Sequence, residues 1–190
     1  MSVSIRVLAP VVLAVAALTA AVGVFAREVY QRPDPTGAGE LVTGSAAVPR
    51  ADEPGTTTVQ LTVDAASHPD GPRVRDLLQQ YFDALNAHDF AAWTGMVTPE
   101  RLERADRDRW LADYDTTRNG SVVVRRLETT TTDRLRVMIT FTSTQDVAKA
   151  PPALPVDCIR WRVVYPLRDT GAGLRVDAGT EGLTSQYSPC

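Results

Sequence analysis

Residues 72–98 read PRVRDLLQQYFDALNAHDFAAWTGMVT, and the periodicity of this stretch decides the fold. Val74, Leu77, Leu78, Tyr81 and Leu85 recur at i, i+3, i+4, i+7 and i+11, which is one stripe of an amphipathic helix. Phe82 widens the stripe, while Arg73, Arg75, Asp76, Gln79, Gln80 and Asp83 take the opposite face. Pro72 suits a first helical turn, where a missing N–H costs nothing. Asn86 and His88 loosen the end, and Asp89 is placed to cap a second short helix over 90–96 that carries Trp93. A helix, a polar elbow and a short aromatic helix make a lid, and a lid needs a broad apolar surface beneath it.

That surface lies downstream, where from Arg118 the period changes to two. A strand over 121–130 carries Val122, Val123, Val124 and Leu127. Leu135, Val137, Ile139 and Phe141 then alternate with Arg134, Arg136, Met138 and Thr140; Ile159, Trp161, Val163 and Tyr165 alternate with Arg160, Arg162 and Val164. Leu174 and Val176 make a last strand after the turn-like run 169–173. One face is apolar and the other arginine-rich, the pattern of an antiparallel sheet covered on one side. Asn119-Gly120 reads as a turn or as the start of a strand; with Ser121 it also fits an N-glycosylation acceptor, for which a turn is the plainer reading. Between lid and sheet, Thr98-Pro99-Glu100 starts a helix expected to reach about Asp113 and to touch the domain through Leu102, Ala105, Trp110 and Leu111. Upstream, Val59, Leu61 and Val63 alternate within 56–64, as an edge strand or an extended arm.

The N-terminal part is of another kind. Residues 7–26 hold no charged side chain, about the ~20 residues a spanning helix needs. Val24-Phe25-Ala26 also fits a signal cleavage site, giving secretion after Ala26 as the alternative to a single-pass anchor. Residues 27–55, rich in Pro, Gly and small polar side chains, read as a flexible tether, which leaves 56–190 as the folded domain. The layout places that domain outside the cytoplasm. There Cys158 and Cys190, the whole cysteine inventory, are a disulfide pair expected to pin the C-terminal tail. Net charge is −3 over 190 residues, so no general basic field attracts nucleic acid.

Helices first, then long antiparallel strands with one apolar face, define an α+β architecture. With YFDALNAHDFAAW joining the first two helices, the order resembles the NTF2-like superfamily over about residues 73–180. The resemblance implies a cone in which helices close a curved antiparallel sheet over a pocket, a fold that hosts isomerases, dehydratases, cyclases and non-enzymatic modules. Anchor, tether and outward domain are similar in layout to Mce-associated membrane proteins of actinobacteria and to membrane components of secretion and conjugation machines.

Relatives that are enzymes move a proton with an acid or histidine inside the cone, and no such group is placed there by this sequence. His68 sits in a Pro/Gly turn and His88 at a helix end, without convergent metal or catalytic partners. Asp83, Asp106, Asp113 and Asp115 lie on polar faces or in charged runs. No catalytic residue, metal or cofactor is assigned, although Asp83 and Tyr81 are the positions an enzyme would use. Tyr81, Trp93, Phe141 and Trp161 either fill the core or line a pocket for a small apolar ligand. Arg136 and Arg160, on the outer face, are candidates for a partner surface. The expected role is a non-enzymatic module at the membrane that binds a protein partner in an envelope assembly, the alternative being a small-ligand binder or an isomerase- or cyclase-type enzyme.

Overall fold

The structure, a computed structural model, describes residues 50–178 and 185–190. The charge-free run 7–26 and most of the tether lie outside them. No described helix is long and apolar enough to cross a membrane.

The lid forms as its periodicity demands. Helix α2 (Gly71–Asn86) follows a short α1 (Val63–Ser67), has Pro72 in its first turn and buries Val74, Leu77, Leu78, Tyr81, Phe82, Ala84 and Leu85. His88, in the left-handed region at φ 54°, turns the chain just past the helix end. Asp89 then caps α3 (Phe90–Thr94), its side chain accepting from the Ala92 N–H at 2.9 Å. Where one helix to about Asp113 is expected, the chain makes two, α4 (Pro99–Leu102) and α5 (Arg107–Tyr114). The break has a local cause: the Asp106 carboxylate accepts from the Arg109 N–H at 2.8 Å and starts a new helix. Thr98 precedes α4 as expected, but its hydroxyl donates to Asp177 at 2.9 Å instead of capping.

Below the lid lies a sheet of six strands: β1 (Gln60–Leu61), β2 (Arg118–Thr131), β3 (Arg134–Thr144), β4 (Cys158–Asp169), β5 (Leu174–Val176) and β6 (Gln186–Pro189). The order is β1-β2-β3-β4, with β5 and β6 both on the far side of β4. All pairs are antiparallel except β1 with β2. Register shifts in β2 at Gly120/Val123, Val124/Arg126 and Thr129/Thr131 mark irregularities of the kind that bend a strand and curve a sheet. The result is α+β, with the helical lid on the sheet's apolar face.

Register fixes the faces. Leu135, Val137, Ile139, Phe141 and Ser143 lie opposite Leu167, Tyr165, Val163, Trp161 and Ile159 on the covered side. The outer face carries Arg134, Arg136, Met138, Thr140 and Thr142 opposite Arg168, Pro166, Val164, Arg162 and Arg160. Val59, Val122, Val124, Leu127 and Val176 complete one core with the lid.

Of the two readings of Asn119-Gly120, the chain takes the strand start: the pair lies at the beginning of β2, and the bulge behind it puts Ser121 at φ 50°. Two parts differ from the sequence reading. The stretch 56–64, read as an edge strand or an extended arm, pairs as an edge strand only at Gln60–Leu61, because Thr62 accepts from the Ala65 N–H and turns the chain into α1, leaving Val63 82% exposed. Residues 50–55, read as the end of the tether, lie on the outer face of the sheet. Arg50 pairs with Asp157 at 2.5 Å, Glu53 with Arg160 at 3.0 Å, and Ser121 donates from its hydroxyl to Pro54 O and from its N–H to Thr56 O, both at 2.8 Å. The tail is held too: β6 pairs with β4, and Cys158 and Cys190 form a disulfide that closes a separation of 32 residues.

Candidate functional site

Two concavities flank the sheet, one on each face. Under the lid, a cavity of about 320 Å³ is walled by Phe82 and Leu85 of α2 and by Phe141, Trp161, Val163 and Tyr165 of the sheet. Its volume lies at the small end of ligand pockets. The walls are an aromatic ladder: Phe82 meets Phe141 at 5.2 Å between centroids, and Phe141 stacks on Trp161 at 6.0 Å and 14°.

The cavity also has a polar belt that the sequence does not reveal: Asn119, Ser143 and Gln145, with Thr117 beside them. These groups are spent largely on one another. Trp161 donates from Nε1 to Ser143 Oγ at 2.8 Å, Ser143 donates to Gln145 Oε1 at 2.8 Å, and Gln145 Nε2 donates to Val156 O at 2.8 Å. Asn86 clamps Asn119, accepting from its backbone N–H at 2.7 Å and donating to its carbonyl at 3.0 Å. Such a belt fixes the start of β2 to the end of α2 and leaves few donors for a ligand.

Among the described residues, few acid–base groups face the cavity. Burial pushes the hydroxyls of Tyr114 and Tyr165 well above the ordinary phenol value, so both are neutral donors at any physiological pH. Asp113 and Lys149 stand at the cavity mouth, the first 61% exposed and loosely paired with Arg109, the second donating to Ala112 O at 2.6 Å. Asp83 lies outside, exposed, accepting from Gln79 at 3.0 Å. His68 is held by Thr129 and by the Asp70 N–H, and His88 faces Thr117 O at 3.4 Å. Asp177 is buried but satisfied: it accepts from Thr98, from the Ala178 N–H and from Arg134, away from the cavity.

Of the residues singled out as pocket candidates, Phe141 and Trp161 line this cavity, and Tyr81 and Trp93 lie behind it. Tyr81 accepts from Arg101 Nη2 at 3.1 Å and packs edge-on against Tyr165. Trp93 joins Phe90, Trp110 and Tyr114 in a separate aromatic cluster, where the indole N–H groups of Trp93 and Trp110 have no partner.

The second concavity is on the outer face, a groove of about 1030 Å³ between the 50–56 arm and β6, faced by Arg125, Arg160 and Arg162. Arg160 is already neutralised by Glu53, whose side chain is 1% exposed. Arg125, Arg136 and Arg162 have no ion-pair partner among the described residues, and all three are exposed. Glu53 also lies beside the disulfide, its carboxylate and both sulfurs within 4.8 Å of one another; bonded sulfurs leave it no metal-binding company.

No family model matches the chain, and no curated protein matches it. Among solved structures, it is similar to a ketosteroid isomerase-like protein from Erwinia carotovora atroseptica at 16% identity, over 57% of this chain and 92% of that one, with a TM-score of 0.40. It is similar to the Delta 5-3-ketosteroid isomerase from Mycobacterium sp. at 12% identity, over 62% of this chain and 98% of the other, with a TM-score of 0.37. A protein of the NTF2-like family from Streptomyces avermitilis, assigned as a dehydratase, shares 17% identity over 64% of this chain and 96% of its own, with a TM-score of 0.39. At these scores they stand as likenesses only, and the architecture rests on this chain's own strands and helices.

Proposed function

We propose that the chain is a non-enzymatic NTF2-like module, tethered to a membrane by residues 7–26, whose domain binds a protein partner outside the cytoplasm. One observation carries the reading: the polar groups under the lid are bonded largely to one another, while on the outer face Arg125 and Arg162 lack carboxylate partners among the described residues. Proton transfer needs a positioned group of suitable pKa within reach of a substrate, and the cavity offers neutral tyrosines and amides inside, with Asp113 and Lys149 only at its mouth and paired to Arg109 and Asp115. The outer face, by contrast, has charge to satisfy. The cysteine pair and the charge-free N-terminal run support the compartment.

The cavity of about 320 Å³ favours a second reading, passive binding of a small apolar ligand between Phe82, Phe141 and Trp161. Crosslinking of the full chain in intact cells, followed by mass spectrometry, separates the two. An envelope protein captured with the chain is the expected result. Recovery of the chain without any crosslinked protein, but with a small molecule retained in native mass spectrometry, overturns the first reading in favour of the second.

A further inference from the structure

The arm shows how the outer face accepts a polypeptide. In the register of the sheet, Gly120, Thr142, Arg160 and Ser188 form one row across β2, β3, β4 and β6. The arm crosses over this row. Glu53 reaches Arg160, Pro54 O accepts from Ser121, and a Cβ on Gly120 would stand 2.6 Å from Pro54 O and 2.7 Å from Gly55 O. Thr142 beneath it is only 5% exposed. The arm, one 3-10 turn over Arg50–Asp52 followed by a turn at Glu53-Pro54, thus lies across the sheet with Glu53 on an arginine and Asp52 beside the groove.

The next row on the same face is Val123, Thr140, Arg162 and Gln186, about 7 Å further along the strands. Val123 is buried, Thr140 half-buried, and Arg162 and Gln186 are exposed. Arg125, at the bulge beside Val123, donates from Nε to Thr140 Oγ1 at 3.0 Å, which fixes its guanidinium over the groove and leaves its terminal nitrogens unspent. Arg162 stands on the other side of Thr140. Thr140 lies between them, and Gln60 on β1 and Gln186 on β6 flank them at the two ends of the row; these amides and the hydroxyl suit the peptide groups of an extended chain.

We infer that the groove beside the arm receives an extended acidic segment of the protein partner, whose carboxylates pair with Arg125 and Arg162. The inference rests on the partner-binding reading above and names the chemistry of that partner. It transfers the recognition role from Arg160, which serves the arm, to Arg162 and to Arg125 at the bulge. Arg136, opposite Glu128 and outside the groove lining, takes no part.

The test uses the full chain in detergent and a nine-residue peptide alternating Thr and Glu, with a Thr/Gln peptide of equal length as control. The Glu peptide should bind, weaken as salt rises, and bind at least tenfold more weakly to R125Q/R162Q, while R136Q binds as the unaltered chain does. The double replacement R125E/R162E should lose the Glu peptide and gain a Thr/Lys one, which separates lost charge from lost folding. Equal binding of the Glu and Gln peptides, or no loss in R125Q/R162Q, overturns the proposal. So does binding to phosphatidylglycerol vesicles alone, since the site would then read phosphate headgroups. The same double variant is crosslinked in cells: a partner still captured from it rejects this groove while leaving the partner-binding reading intact, and no partner from any chain rejects that reading itself.

Discussion

Two ion pairs tie helices to the far end of β4, one at the start of α2 and one on α4. Arg73 donates to Asp70 at 2.8 Å and to Asp169 at 2.6 Å, and Arg168 pairs with Glu100. Hydrogen bonding to these guanidiniums holds the carboxyls of Asp169 and Glu100 below their ordinary values. A carboxyl whose value is depressed by folding stabilises the fold above the ordinary carboxylate range, and that contribution is lost as pH falls through the folded value. Both pairs are solvent-exposed, so screening keeps the effect small. The double variant R73Q/R168Q should therefore melt a few degrees below the unaltered chain at pH ~7, by roughly the amount expected for surface pairs. The difference should close as pH falls through the depressed folded values of Asp169 and Glu100, below the ordinary carboxylate range, where these carboxyls become protonated in both proteins. Calorimetry across that range checks it; a gap that persists in acid means that these side chains act through packing and not through charge.

At the scale of elements, the arm depends on the lack of a side chain at Gly120. The atoms a Cβ would strike are backbone oxygens, which cannot swing aside. Gly120→Ala should lift residues 50–55, break the Glu53–Arg160 pair and cost about 1–3 kcal/mol. Trypsin should then cut after Arg50 sooner, and unchanged cleavage would show that the arm is not held there. How legible each element is follows from where its determinants lie. The stripe Val74 to Leu85 and the alternation Leu135 to Phe141 carry their own burial, so helix, strands and facing read directly from sequence. The arm and β6 do not: Glu53 is fixed by Arg160, 107 residues away, and Gln186 to Pro189 have no apolar alternation, only β4's ladder and a disulfide. The split at Asp106 hides in a charged run where one carboxylate acts as a cap. In the cavity, Phe141 and Trp161 follow from alternation. Its polar belt does not, since Ser143 beside Trp161 and Asn119 beside Asn86 require the inter-strand register.

For the molecule as a whole, the compartment and the disulfide make one prediction. Chain expressed in full should fractionate with membranes and show no titratable thiol without reductant. Recovery in the soluble extracytoplasmic fraction with a mature N-terminus at Arg27 would show that residues 7–26 are a cleaved leader. Replacing Cys158 with Ser should cost ~3–4 kcal/mol, the chain-entropy value for a loop of this length. Because the tail is exposed along Gln186–Pro189, the first segment to open on reduction should be β6, visible as fast amide exchange there while α2 stays protected.

The disulfide and the arm share one corner of the sheet. Arg50 reaches Asp157, the neighbour of Cys158, and Cys158 holds Cys190. The ends of the folded part are thus adjacent, and the topology is that of a ring cut at this corner. A circular permutant that joins residue 190 to residue 50 through about ten Gly/Ser residues, and opens at the Asp133 turn, keeps every strand pairing. The same adjacency makes the C-terminus a poor place for a fluorescent fusion, whose bulk would crowd the arm, and the Asp133 turn a better one.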